Sequence, residues 1–309
     1  MNNIAIFFSG QGAQSAGMGH DIYNESAEAK ALFDMGESIR PGTLEVCFGT
    51  DGAALTLTEN AQPALFLTGL AFARELSKAG INADSVAGFS LGEIPALAYS
   101  GILSDEEAFR LVIARSHKMS MLSNIYKGGM VAALKLDNKT VEDVCSEFTE
   151  VWPVNYNCPG QLSCAGNPEQ LDGFIEKIKA AGGRAVKIPV SGAFHTPYMA
   201  EAGDVLRDTL KEMTVNPPEI NIYSNCTGEV YPDDVTQIVE NIAGQVSSPV
   251  RWEQIIRKMN LAGIDTFIEV GAGATLTGFV KRTLSEAKTY TVTDVASLRD
   301  TIAALSEGR

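Results

Sequence analysis

Short apolar runs in this chain alternate with longer stretches in which apolar residues recur with helical spacing. A short apolar run that ends at glycine is typical of a buried strand, and the longer period is typical of an amphipathic helix. The pattern predicts strands at residues 4–9, 86–89 and 266–270, and helices at residues 60–79, 91–100 and 104–123. Strands that alternate with helices favour a largely parallel sheet of the α/β class.

The middle of the chain predicts a different unit. Strands are expected at 129–136, 151–156, 161–165 and 184–190, with helices at 139–148 and 168–181. The resulting order, β-α-β-β-α-β, is that of a ferredoxin-like unit. Gly128-Gly129 and Ser191-Gly192 flank it as candidate hinges. We therefore predict a small ferredoxin-like domain at 127–192, inserted into a larger α/β domain formed by 1–126 and 193–309.

Composition excludes several classes of protein. The chain has 309 residues, 45% of them hydrophobic, and a net charge of -14, which argues against a general nucleic-acid binder. No apolar run approaches the ~20 residues that span a bilayer, and the first residues lack the basic segment of a secretory signal. These features predict a cytoplasmic protein that binds neither nucleic acid nor membrane.

The cysteines and histidines do not suggest a metal centre. Five cysteines without a C-x-x-C pair, and only three histidines, argue against both a disulfide framework and a zinc site. We therefore predict no metal site and interpret the cysteines as small buried apolar residues.

Gly88-Phe89-Ser90-Leu91-Gly92 fits the pattern G-x-S-x-G between a predicted strand and a predicted helix. Such a turn lifts the serine hydroxyl above the sheet, and the flanking glycines relieve crowding there. The Leu91 N–H would lie at the helix N-terminus, where an oxyanion can be held. Ser90 is thus a candidate nucleophile; the alternative is a serine that only caps the helix.

A serine nucleophile needs a base, and His20, His117 and His195 are the histidines of the chain. His117 is expected to face solvent, and His20 follows a glycine-rich segment as a surface or capping residue. His195 lies in the segment that rejoins the two predicted domains, a common place for active-site groups. We take His195 as the base, with a main-chain carbonyl or neutral side chain to orient it; the alternative is a core histidine.

Arg115 occupies the buried stripe of the predicted helix 104–123. The stripe is otherwise apolar, with Ala108, Leu111, Val112, Met119 and Leu122 at helical spacing. A guanidinium there is costly unless it meets an anion. Two interpretations stay open on this evidence: an ion pair with an internal carboxylate, and a fork for a substrate carboxylate.

The chain resembles the malonyl-CoA:acyl carrier protein transacylase family, which includes the acyltransferase domains of polyketide synthases. The resemblance rests on ordered segments over about 260 residues. They are Phe8-Ser9-Gly10-Gln11-Gly12-Ala13-Gln14, Gly88-Phe89-Ser90-Leu91-Gly92-Glu93, Arg115, Asn155-Tyr156-Asn157-Cys158-Pro159-Gly160-Gln161, Phe194-His195-Thr196-Pro197, Gln245-Val246-Ser247-Ser248-Pro249-Val250-Arg251-Trp252 and Glu269-Val270-Gly271-Ala272-Gly273. It implies an α/β-hydrolase-like domain plus a ferredoxin-like one.

The resemblance also implies roles for individual residues. Ser90 would be the nucleophile and His195 the base, while Gln11 and the Leu91 N–H would line the oxyanion hole. Arg115 would bind the malonyl carboxylate. Gln245 would orient His195 through its main chain, and Asn157 would line the substrate pocket.

Two residues bear on acyl selectivity. The residue before the nucleophile is usually histidine in the family and is Phe89 here, which removes a polar group beside Ser90. In polyketide relatives, phenylalanine before the catalytic histidine accompanies malonyl rather than methylmalonyl selection, and this position is Phe194 here. The late glycine segment has Ala272 where the family commonly has proline.

The resemblance implies transfer of malonyl from malonyl-CoA to the phosphopantetheine thiol of an acyl carrier protein, for fatty acid or polyketide synthesis. No cofactor is expected beyond malonyl-CoA as substrate and the phosphopantetheine of the carrier, and we expect a monomer. The alternatives are a stand-alone polyketide acyltransferase of other acyl specificity, a serine thioesterase or acyl hydrolase, and a non-catalytic docking protein that keeps the fold.

Overall fold

Two β-sheets of opposite character organise the chain. The computed structural model describes residues 3–50, 52–190 and 192–306. The strands are β1 Ile4–Phe8, β2 Ser85–Gly88, β3 Gly129–Leu134, β4 Val151–Cys158, β5 Gln161–Gly166, β6 Arg184–Ile188, β7 Asn221–Tyr223, β8 Thr266–Val270 and β9 Lys288–Val292.

Helices surround both sheets. They are α1 His20–Glu25, α2 Ala27–Ile39, α3 Thr43–Phe48, α4 Gly52–Thr56, α5 Thr58–Lys78, α6 Glu93–Tyr99, α7 Asp105–Tyr126, α8 Asn138–Cys145, α9 Pro168–Ala180, α10 Ala200–Leu210, α11 Val235–Gln245, α12 Trp252–Leu261, α13 Thr275–Thr283 and α14 Val295–Ser306. Short 3-10 helices span Ser90–Gly92 and Pro197–Met199.

The larger sheet has the order β7-β2-β1-β8-β9, and every adjacent pair in it is parallel. Both of its faces are covered, as a parallel sheet requires. On the central strand β1, Ile6 and Phe8 face the core shared with α5 and α7, whereas Phe7 faces Trp252 at the start of α12. The Phe7 and Trp252 ring centroids lie 4.7 Å apart. This sheet confirms the predicted parallel α/β architecture.

The smaller sheet has the order β4-β5-β3-β6 and is antiparallel. Helices α8 and α9 cover it through buried Val141, Phe174 and Ile178. The order and direction of its strands confirm the predicted ferredoxin-like unit. Its limits at 127–192 stay a prediction, and Ser191 of the second candidate hinge lies outside the described residues.

The two sheets meet along β4. The Tyr156 N–H donates to the Val250 carbonyl at 2.9 Å, and the Val250 N–H donates to the Val154 carbonyl at 2.7 Å. Val250 precedes α12 of the large sheet's layer, so these bonds hold the small sheet above the carboxyl ends of the parallel strands. The cavity described below lies at that junction.

The sequence pattern did not predict β7, β9 or the helices outside the segments named above. Strand β7 has three residues, and the edge strand β9 is mostly half-buried, so neither carries a long apolar run. Helices α1, α3 and α4 have five or six residues, too few for a helical period to be read. The serine turn also begins with a 3-10 helix, where a continuous helix 91–100 was expected.

Two glycines allow the β2–α6 turn to pack closely. A Cβ added at Gly88 would lie 1.8 Å from the Gly92 carbonyl oxygen, and one added at Gly92 would lie 2.2 Å from the Phe8 carbonyl oxygen. These neighbours are main-chain atoms, which cannot rotate away. The turn therefore fits only with glycine at both positions.

Replacing Gly88 with alanine should destabilise the fold. We expect the free energy of unfolding to fall by about 3 kcal/mol or more, the upper range for overpacked sites. Gly278→Ala is the matched control, because, apart from its chain neighbours and the backbone of its own helix, no described heavy atom lies within 4 Å of its added Cβ. This change inside α13 should be neutral or stabilise by up to about 1 kcal/mol. Urea unfolding measures both, and an unchanged midpoint for Gly88→Ala would contradict close packing at the turn.

Candidate active site

Loops that follow parallel strands gather at the carboxyl edge of the large sheet. Gln11 follows β1 and Ser90 follows β2, and the paired strand ends, Phe8 with Gly88 and Phe8 with Val270, bring these loops together. A cavity of about 320 Å³ opens there between the two sheets. Five sequence-predicted residues line it: Gln11, Ser90, Asn157, Phe194 and His195.

Ser90 has a left-handed backbone, with φ of 53°, which is rare for a residue with a Cβ. Side chains from distant segments hold it there. The Ser90 N–H donates to Asn225 Oδ1 at 2.7 Å, and its carbonyl accepts from Gln245 Nε2 at 2.5 Å. Asn225 Nδ2 also donates to the Gly88 carbonyl at 2.7 Å. The strained turn is thus fixed by hydrogen bonds on both sides of the serine.

His195 is 3% exposed, and its Nε2 lies 2.7 Å from Ser90 Oγ. Its Nδ1 lies 3.1 Å from the Gln245 carbonyl oxygen and 3.0 Å from the Ser248 carbonyl oxygen. Since carbonyl oxygens only accept, the proton belongs on Nδ1, and Nε2 is free to accept the Ser90 hydroxyl proton. Burial, and then the charge of Arg115, lower the pKa of His195 to about 4, so the ring is neutral at physiological pH.

The other two histidines lie away from this group. His117 is exposed on α7. His20 is exposed at the start of α1 and contacts the ring of Phe48, with centroids 4.9 Å apart. Thr196, after His195, caps the short 3-10 helix Pro197–Met199 by accepting from the Tyr198 N–H at 3.3 Å.

Arg115 is fully buried on α7, directly behind Ser90. Its hydrogen bonds go to neutral groups: Nη1 to Gln62 Oε1 at 2.7 Å, and Nη2 to Gln245 Oε1 at 2.9 Å and Ser90 Oγ at 3.2 Å. Among the described residues its Nε finds no hydrogen-bond partner. Burial lowers the pKa of this guanidinium to about 10, so it keeps its charge near neutral pH. Helix α7 thus places the positively charged Arg115 guanidinium beside the Ser90 hydroxyl.

Glu93, at the start of α6, has a place that sequence reasoning missed. It is 1% exposed, and its carboxylate accepts from Tyr231 Oη, from the Asn225 N–H at 3.0 Å and from Gln245 Nε2 at 3.1 Å. Burial raises its pKa to about 7, against the effect of these donors. An acid in the first turn of a helix is ordinarily a surface residue, so the position of Glu93 along the chain does not indicate that it is buried.

Gln62 on α5 is a second residue that was missed. It is 1% exposed, and besides accepting from Arg115 it donates to Gln11 Oε1 at 3.3 Å. Gln62 lies four positions before buried Phe66, so it is a polar residue on a buried helical stripe. Gln62 therefore carries the same sequence signal as Arg115, a polar side chain on a buried helical stripe.

The remaining predicted residues lie around the cavity. The Gln11 side chain donates to Thr58 Oγ1 at 3.1 Å, and Leu91 is the middle residue of the 3-10 helix Ser90–Gly92. Asn157 donates to Ser163 Oγ at 3.2 Å, while its Oδ1 has no partner among the described residues. Phe194 is 6% exposed.

Phe89, which stands where the resembled family usually has histidine, also lines the cavity. Its ring lies 5.4 Å from the Trp252 ring and 6.1 Å from the Phe279 ring, measured between centroids. The residue thus extends an aromatic cluster to the cavity wall and places no polar group beside Ser90.

Within the described ranges, no cluster of three or more His, Cys, Asp or Glu side chains could hold a metal ion. All five cysteines are free thiols, and Cys226 alone among them is only partly buried. In the same part of the chain, no helix combines the length and apolarity needed to cross a membrane.

Comparison with known proteins supplies the family. Residues 6–303 match the model of the acyl transferase domain. The malonyl CoA-acyl carrier protein transacylase of Bacillus subtilis is 36% identical over 99% of this chain and 98% of its own length.

Solved structures agree in fold. The malonyl CoA-acyl carrier protein transacylase of Clostridium perfringens superposes with a TM-score of 0.94 and 35% identity, covering 98% of this chain and 97% of its own. A malonyl-transacylase in complex with a type II PKS acyl-carrier protein superposes with a TM-score of 0.93 and 28% identity, covering 98% of this chain and 100% of its own. With the resemblance and the fold thus confirmed, the chain belongs to the acyl transferase domain family.

Proposed function

We propose that this acyltransferase moves a malonyl group from malonyl-CoA to the phosphopantetheine thiol of an acyl carrier protein, through an ester on Ser90. One observation carries the proposal: Ser90 Oγ lies 2.7 Å from His195 Nε2 and 3.2 Å from Arg115 Nη2, at the wall of a single cavity. The nucleophilic oxygen of Ser90 thus lies within hydrogen-bond distance of both a base and a cation that can bind a carboxylate. The names of the relatives from Bacillus subtilis and Clostridium perfringens support the same donor and acceptor.

The reaction proceeds in two exchanges on Ser90. His195 Nε2 takes the hydroxyl proton while Oγ attacks the thioester carbonyl; the C–S bond breaks, and the CoA sulfur leaves with that proton. The carrier thiol then gives its proton to His195 and attacks the serine ester, and the proton returns to Ser90 Oγ as the ester bond breaks. The Gln245 and Ser248 carbonyls keep the ring in the required tautomer throughout.

The tetrahedral oxyanion is held by main-chain donors in this proposal. The Leu91 N–H lies in the first turn of the helical segment that begins at Ser90, where the helix dipole favours negative charge. Gln11 follows β1 on the adjacent side of the cavity, and its side chain is fixed by Thr58 and Gln62. That leaves the Gln11 main-chain N–H as the second donor.

Arg115 selects for the carboxylate of the acyl chain. Malonyl places its carboxylate one methylene away from the reacting carbonyl, so an acyl group on Ser90 brings that carboxylate next to the guanidinium. In a fully buried position a charged hydrogen bond is stronger than one in water. Phe194 and Met119 add apolar walls, and Asn157 adds a polar one.

The chemistry balances with the two thiols and the serine ester alone, so we propose that no resident cofactor takes part. We also propose that the protein works as a cytoplasmic monomer. Fatty acid and polyketide synthesis are both compatible with this reaction.

The transfer itself is tested by mixing the protein with malonyl-CoA and a holo acyl carrier protein and weighing the intact species. We expect a malonyl adduct on the Ser90 peptide and a malonyl mass on the carrier; Ser90→Ala should abolish both. Free malonate without a malonylated carrier would instead identify a hydrolase, and the absence of any Ser90 adduct would support a non-catalytic protein.

Replacing Arg115 with alanine should slow malonylation of Ser90 by about a hundredfold, the effect of losing one buried charged hydrogen bond. Acetylation from acetyl-CoA, which offers no carboxylate, should slow far less, and Arg115→Lys should recover part of the selectivity. Arg110→Ala is the matched control, since Arg110 forms an exposed ion pair with Glu106 on the same helix. Rapid-quench kinetics measures the acylation rate of Ser90 with both donors. If Arg115→Ala slows malonyl and acetyl transfer equally, Arg115 does not bind the substrate carboxylate.

The lowered pKa of His195 predicts activity in mild acid. The neutral ring is the base, so a pKa of about 4 keeps it competent until the pH approaches that value. At saturating malonyl-CoA, acylation at about pH 5 should retain at least about half its neutral rate, whereas a histidine of ordinary pKa would be only about 3% neutral there. His117→Ala should leave the profile unchanged. A fall in rate centred near about pH 6.5 would contradict the prediction.

A further inference from the structure

Glu93 is a buried carboxylate behind the serine turn, and the mechanism above does not use it. It is hydrogen-bonded to the Tyr231 hydroxyl, the Asn225 N–H and the Gln245 side chain, which all lie more than 130 positions from Glu93 in the sequence. A buried acid that is held by three donors is costly to keep and is typical of a functional site.

The Gln245 amide joins Glu93 to Arg115. Its Nε2 donates to Glu93 Oε2 at 3.1 Å, and its Oε1 accepts from Arg115 Nη2 at 2.9 Å. The carboxylate and the guanidinium are therefore separated by a single amide group. Each attracts the charge on the other, and this attraction lowers the pKa of Glu93 and raises that of Arg115.

The other titratable groups around this pair are neutral near physiological pH. Burial raises the pKa of Tyr231 well above its ordinary value and also raises the pKa of Cys226, whereas His195 has a pKa of about 4. Arg115 stays charged, and burial brings the pKa of Glu93 to about 7. Glu93 is thus the group here whose charge changes near neutral pH.

We infer that Glu93 is a specificity-determining residue whose charge sets how strongly Arg115 holds a carboxylated acyl group; this rests on the proposed function. When Glu93 is ionised, it already balances the guanidinium, and a malonyl carboxylate adds a second anion to a buried site. When Glu93 is protonated, the malonyl carboxylate is the sole counter-charge. Binding of that carboxylate and ionisation of Glu93 therefore oppose each other, and by linkage each weakens the other equally.

The sign and size follow from this competition. Rising pH ionises Glu93 and weakens the preference for malonyl, whereas an acetyl group, which has no charge, does not respond. If the Glu93 and malonyl carboxylates lie about 7 Å apart, Coulomb's law at an effective dielectric constant of about 20 gives an upper bound of roughly fiftyfold. Partial screening by ions reduces the expected change in preference to about tenfold.

The test uses the full chain and compares two donors. The second-order rate constants for acylation of Ser90 by malonyl-CoA and by acetyl-CoA are measured by rapid quench and intact mass from about pH 6 to about pH 8.5, a range that spans the titration of Glu93. In their ratio, the contributions of CoA binding and of His195 as the base cancel, because both donors share them. We expect the ratio to fall about tenfold with rising pH in the parent chain.

Two variants locate the effect. Glu93→Gln, which cannot ionise, should hold the ratio at its low-pH value throughout. Tyr231→Phe removes a donor that stabilises the carboxylate, so the midpoint of the curve should move to higher pH. Glu106→Gln, an exposed acid on α7, is the control and should leave the curve unchanged.

A parent chain that is malonylated normally but shows a pH-independent ratio would overturn this inference alone. The same holds if Glu93→Gln slows both donors equally and keeps the slope, because Glu93 would then only support the turn. If Glu93→Gln does not fold, the parent and Tyr231→Phe curves still decide. A parent chain that forms no malonyl adduct on Ser90 would overturn the inference together with the proposed function.

Discussion

The left-handed backbone of Ser90 is the constraint on which the site depends. A serine pays a steric cost in that conformation, and it is held there because its N–H and carbonyl are both bound by buried side chains, Asn225 and Gln245. Gly88 and Gly92 let the main chain pass at distances that no Cβ would permit. The hydroxyl consequently points into the cavity. Its oxygen has a fixed position, within hydrogen-bond distance of His195 and Arg115.

The burial of this site also determines the charges of the side chains around Ser90. Arg115 and His195 are both removed from water beside one hydroxyl, so burial, and then the charge of the guanidinium, lower the pKa of the imidazole and keep it a neutral acceptor. Glu93 lies one amide group away from Arg115, and among the described residues no carboxylate contacts the guanidinium directly. The side of Arg115 that faces Ser90 is therefore open to an anion, and the charge on Glu93 sets how strongly that anion is attracted.

The cavity needs both sheets. The carboxyl ends of parallel strands provide Gln11 and Ser90, while the antiparallel sheet provides Met130, Asn157 and Ile188 on the opposite wall. Hydrogen bonds between β4 and Val250 set the spacing of the two layers, so the small sheet shapes part of the cavity without supplying Ser90 or His195. Those two residues lie outside the small sheet, which contributes only one side of the cavity wall.

Local pattern determined much of this protein. Apolar runs and turn glycines predicted β1, β2 and β8, and also the four strands and two helices of the ferredoxin-like unit. The pattern of the turn identified Ser90, and a charge on a buried stripe identified Arg115. Each of these signals lies within one element or the turn next to it, so it can be read from the sequence. Tertiary structure alone decided that Glu93 is buried, that Asn225 holds the serine turn, and that Gln245 links Glu93 to Arg115 by its side chain. These contacts join residues more than 100 positions apart, and short β7, whose end positions Asn225, has no period of its own. Which partners meet across such distances depends on how the layers pack, and no spacing within a segment encodes it.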